Sequence, residues 1–167
     1  MIAWYGKVAA SGGLSSLPEH VSVDIEVFRA FQELVPSSTL DYLKDRNFAG
    51  HAFERAPLQP IFRYAHYADR VTYEFLDAEL EAARGAFVDA VRRFDRAISL
   101  NTWTTDNIEY STVPPEWESE QPERFDRVVT DIHESADAIE AAYAVIVRLA
   151  RRRLGVVGVI EPKAPDV

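Results

Sequence analysis

Two long stretches of this sequence carry apolar side chains in alternating steps of four and three, the spacing that keeps one face of an α-helix in register. In the first, Leu76, Leu80, Ala83, Phe87, Ala90, Phe94 and Ala97 form the seam, which predicts a helix over about 72–100. In the second, Phe125, Val129, Ile132, Ala136, Ile139, Tyr143, Ile146 and Ala150 predict a helix over about 122–154. Pro122 suits its first turn, and Gly155 after Leu154 is a natural stop. Arg151, Arg152 and Arg153 place positive charge where the helix dipole is negative. Beside this seam, Val128, Ser135, Ala142 and Leu149 widen the apolar stripe beyond what a two-stranded coil buries. The expected fold is therefore all-α, an antiparallel helical bundle with two long core helices and several shorter ones.

The rest of the chain fits around that pair. A length of 167 residues suits one domain. Residues 1–20, with Gly12-Gly13 and Pro18, read as an irregular N-terminal extension; 21–155 form the bundle domain; 156–167 form an apolar C-terminal tail that begins Val156-Val157-Gly158-Val159-Ile160 and is expected to be covered. Ile25, Phe28, Phe31, Leu34 and Val35 predict a helix over 23–35 that ends at Pro36. Ser37 or Ser38 is a cap for a short helix through Leu40 and Leu43, and a further helix should start near Pro60. Ala138, Ala141, Ala144, Val145 and Val147 make the second half of the last helix apolar almost all round, so it is either central in the bundle or covered by another subunit.

Charge and composition narrow the functional classes. With 27 acidic against 18 basic side chains the net charge is −9, which disfavours a general nucleic-acid binder. Residues 116–140 hold nine acids against Arg124 and Arg127, whereas Arg148 and Arg151 to Arg153 make the far end of the helix basic. That polarity matches the dipole of a solvated helix, and it would also suit head-to-tail pairing with a second copy or a basic partner. There is no cysteine, hence no disulfide, thiolate nucleophile or cysteine-bound metal. The run Ala141–Val147 is far too short to span a bilayer, and Met1–Ala10 lacks the basic lead of a signal peptide, so a cytoplasmic protein without membrane association is expected.

The connection between the long helices, 101–121, is longer than bundles usually need and is rich in aromatic side chains. Trp103, Tyr110 and Trp117 in it are the candidate partner-binding residues, because tryptophan and tyrosine dominate interface anchors. An alternative is that the connection folds back over the bundle and its aromatics cover the end of the core; a small-ligand pocket beneath it is a further one. The leading functional expectation is a non-catalytic acidic accessory module that binds another protein or itself.

Enzyme chemistry and cofactors find little footing. Leu17, Phe48, Arg63 and Thr130 precede the four histidines by three, so the Glu-x-x-His pairs of di-iron bundles are missing, and no cofactor is expected. His133 and Asp137 lie one helical turn apart, but two ligands do not make a metal site. Phosphate-binding glycine loops and nucleophile elbows are absent as well. Arg46-Asn47-Phe48-Ala49-Gly50-His51 resembles the Arg–polar–x–x–x–His signature of the HEPN ribonucleases, helical domains that dimerise around RNA. The resemblance implies a metal-independent ribonuclease in which Arg46 stabilises phosphoryl charge and His51 moves the 2′-hydroxyl proton. It covers six residues, and they precede the long helices, whereas that family usually carries its motif in the last one. Arg127 to His133 is a looser match in that place, with Val128 at the usually polar position.

Overall fold

In the computed structural model, which describes residues 19–48 and 51–156, the two predicted long helices form the centre of an antiparallel helical bundle. The expected extension, apart from residues 19 and 20, and the tail beyond Val156 lie outside the described residues. The shorter helices are α1 (Glu19–Leu34), α2 (Ser37–Asp45), α3 (Gln59–Tyr67) and α5 (Trp117–Glu120); the long ones are α4 (Ala78–Asn101) and α6 (Pro122–Leu154).

Helix α6 has the bounds its seam predicts. Phe125, Ile132, Ala136, Ile139, Ile146 and Ala150 are buried, and Gly155 ends the helix in the left-handed conformation (φ 65°, ψ 18°) that glycine adopts without strain. Helix α4 starts later than expected. The Asp77 carboxylate accepts the backbone N–H groups of Glu79 and Leu80, satisfying two donors that a helix start leaves open, and this cap fixes the beginning at Ala78. Leu76, the first residue of the predicted seam, therefore precedes the helix and is 61% exposed. Upstream, buried Asp24 of α1 accepts the N–H groups of Leu76 and Asp77 at 2.6 and 2.9 Å, so α1 holds the lead-in to α4.

Antiparallel packing of α4 on α6 places opposite charges together at both ends. Arg153 meets Asp77 and Glu79, while Arg93 meets Asp131 at 2.6 Å and Glu134 at 3.5 Å. The polarity of α6 is thus matched in part by its own neighbour. Exposed pairs of this kind add little to stability, so these contacts select orientation more than they hold the fold together. The second half of α6 buries Ile146 and Ala150 but leaves Ala141 and Val145 outward.

Pro36, rather than a serine, occupies the N-cap of α2, with the extended backbone (φ −69°, ψ 150°) that proline permits. Pro60 lies in the first turn of α3, as expected. The core has an aromatic centre. Phe31 of α1 lies 5.2 Å from Tyr64 of α3, 5.3 Å from Phe87 of α4 and 5.5 Å from Tyr143 of α6, ring centre to ring centre. A second cluster joins Phe48 to Phe53, Phe94 and His133.

One feature lies outside the all-helical expectation. Strands β1 (Phe53–Glu54), β2 (Trp103–Thr104) and β3 (Tyr110–Thr112) form a small antiparallel sheet in the order β1-β3-β2. Phe53 and Ser111, paired across β1 and β3, point to the buried face; Glu54, Tyr110, Thr112 and Trp103 share the other. Among the described residues, no helix is long and apolar enough to cross a membrane.

Candidate functional site

The long connection folds as a β-hairpin followed by one turn of helix. Helix α4 ends where Thr102 turns its backbone N–H and its hydroxyl onto the Ile98 carbonyl, at 3.0 and 2.7 Å. The chain then enters β2 in an extended conformation. Asn107 organises the hairpin loop: its carbonyl accepts from the Tyr110 N–H and the Thr105 hydroxyl, and its side-chain oxygen from the Glu109 N–H. Ile108, beside it, is 85% exposed.

The three aromatic candidates meet different fates. Trp117 is 8% exposed and belongs to the core's end, with the Arg124 guanidinium 3.5 Å from its ring centre. Trp103 meets it edge to face at 5.4 Å and remains 51% exposed. The buried tryptophan thus braces the outward one. Tyr110 does not join them. Its hydroxyl donates to Glu54 Oε1 at 2.7 Å, and that hydrogen bond, together with the charge of Glu54, raises the phenol above its ordinary range. Beneath this pair, Tyr42 accepts the Glu54 N–H and donates to the Glu54 carbonyl, clamping β1 to α2.

Leu100 and Ile108 in the same stretch of chain are exposed, as are the acids Asp106, Glu109, Glu116, Glu118, Glu120 and Glu123.

No protein-family model, curated protein or solved structure gives a significant match to this chain.

The histidine candidates separate as clearly. Arg46 is the C-cap of α2, its guanidinium 6.0 Å from the Tyr42 ring and its Nε buried without a hydrogen-bond partner; His51 is exposed. No hydrogen bond or ring contact joins Arg46 to His51 among the described residues. His133 is committed elsewhere: the backbone N–H of Phe48 donates to its Nε2 at 3.0 Å, and the two rings meet edge to face. Its Nε2 is therefore the unprotonated nitrogen, spent on fastening the end of α2 to α6. His133→Ala is expected to lower stability by about 2 kcal/mol, because the Phe48 N–H loses its acceptor in a half-buried place, and urea unfolding measures it. Among the described residues, no group of three or more potential ligands is arranged to hold a metal ion.

Proposed function

We propose that the protein is a non-catalytic helical interaction module that binds another protein through the Trp103 end of the bundle. The supporting observation is Trp103 itself: half-exposed and braced by buried Trp117, in a stretch of chain that also exposes Leu100 and Ile108. A large apolar side chain on rigid support binds with little loss of rotamer entropy. The acidic residues in the same stretch of chain favour a partner segment that combines an apolar side chain with lysine or arginine. On this reading the module works in the cytoplasm, consistent with a chain that uses no cysteine.

A displayed library of short peptides selected against the full chain tests the proposal. Enriched sequences should carry basic and apolar residues together, bind saturably, and weaken as salt rises. Trp103→Ala should lower their affinity about tenfold while leaving the circular dichroism spectrum intact. Equal binding by the variant, or enrichment of acidic peptides, would refute the site. The Arg46–His51 resemblance has no comparable geometric support, so the ribonuclease reading is not advanced.

A further inference from the structure

A cavity of about 310 Å³ opens between α1, α3 and the turn at Val71–Tyr73, lined by Leu34, Arg63, Tyr64, Tyr67, Arg70 and Tyr73. It uses none of the residues of the Trp103 end. We propose that it binds a small aromatic anion, a single-ring carboxylate or aryl phosphate.

Four observations converge on that chemistry. The first is a rigid aromatic floor. Tyr64 is 3% exposed, and its ring is held by Phe31, Phe87 and Tyr73.

The second is unspent positive charge. Arg84, Arg92, Arg93 and Arg153 each pair with a carboxylate, whereas Arg63 and Arg70 on the cavity wall form no ion pair among the described residues. Two guanidinium groups without carboxylates at one cavity suit a carboxylate or phosphate, whose oxygens they can grip in bidentate fashion.

Third, the walls are flat and aromatic. Tyr64 and Tyr73 lie 5.9 Å apart at a tilt of 59°, and Arg70 covers the Tyr67 ring at 4.2 Å. That stacking holds the guanidinium in place before any ligand arrives. Finally, the volume falls at the low end of the range for ligand sites, roughly 300–1,000 Å³, which admits one substituted ring and not a dinucleotide. An aryl anion satisfies all of these together: its charge meets Arg63 and Arg70, and its ring meets the tyrosines.

Calorimetric titration of the full chain with benzoate, phenyl phosphate, inorganic phosphate and benzyl alcohol tests the assignment and separates a carboxylate from a phosphate preference. At least one aryl anion should bind one-to-one with a Kd below about 1 mM, with inorganic phosphate and benzyl alcohol about tenfold weaker or worse. The double variant Arg63→Gln/Arg70→Gln should lose about tenfold in affinity without a change in circular dichroism, since both side chains are exposed. Absence of saturable aryl-anion binding, equal affinity for inorganic phosphate, or affinity unaltered in the double variant would overturn the proposal.

Discussion

Arg84→Met is expected to lower the unfolding free energy by about 2 kcal/mol, less than removal of one member of a fully buried ion pair costs, because the Glu81 side chain stays 32% exposed. Arg84 is buried in α4 although it is charged. Its Nε and Nη2 donate to Glu81 at 2.8 and 2.5 Å, and its Nη1 donates to the Ala68 carbonyl just beyond α3 at 2.9 Å. Glu81 in turn accepts the Phe75 N–H at 2.9 Å. One guanidinium therefore ties the end of α3 and the lead-in of α4 to α4 itself. Methionine keeps most of the length and apolar bulk, so the loss measured is polar: the Glu81 carboxylate keeps its burial without its counter-charge, and the Ala68 carbonyl loses its donor. Adding Glu81→Leu to Arg84→Met should restore a large part of the stability, because the uncompensated charge goes with it. Urea unfolding of the wild type, both single variants and the double variant measures the coupling.

The same pair sets an acid dependence whose sign follows from the carboxylate. Burial pushes Glu81 up, but the Arg84 hydrogen bond, the Phe75 N–H and the Arg84 charge outweigh it, and the net shift is below the ordinary 4.5. A carboxylate that folding depresses stabilises the folded state in full above its unfolded value and loses that contribution as pH falls through the folded one. The wild type should therefore lose this contribution as the pH falls below about 4.5. Arg84→Met should lose less over the same range, since two of the depressing interactions are gone.

The sequence made the long helices readable because burial on a helix repeats with a fixed step, and α6 kept its seam from Phe125 to Ala150. The start of α4 was misplaced because Leu76 fits that step equally well, and periodicity does not see where a helix begins. The local signal was present in Asp77-Ala78-Glu79-Leu80, an acidic cap followed by an acid in the first turn. The sheet had no comparable signal. Its strands are two or three residues long, too short to alternate visibly, and β1 pairs with a strand 57 residues away. Composition marked the connection as aromatic, but it had no means of telling buried Trp117 from exposed Trp103; that difference arises from which ring the hairpin lays over the bundle's end. The reading that the aromatics cover the core holds for Trp117, while Trp103 stays half-exposed. Periodicity reports burial, and differences of this kind arise only when distant elements meet.

Phe31→Ala is expected to cost more than any surface change, about 4 kcal/mol. The ring is 1% exposed and belongs to α1, yet it touches side chains from three other helices: Tyr64, Phe87 and Tyr143. Truncation removes apolar burial and leaves a cavity that those four helices cannot close independently, because each is fastened elsewhere. Asp24 holds α1 to the lead-in of α4, Arg84 holds α4 to the end of α3, and Arg153 holds the end of α6 to the start of α4. A core so tethered relaxes little, which places the cost toward the upper part of the range for aromatic truncations, about 3–5 kcal/mol. Val23→Ala on the same helix provides the comparison: it is partly exposed, and its removal should shift stability by less than about 0.5 kcal/mol. Urea midpoints of the two variants measure the contrast. A Phe31→Ala cost near 1 kcal/mol would mean that α1 packs as an adaptable cover, and the tethers through Asp24 would then have to carry its attachment.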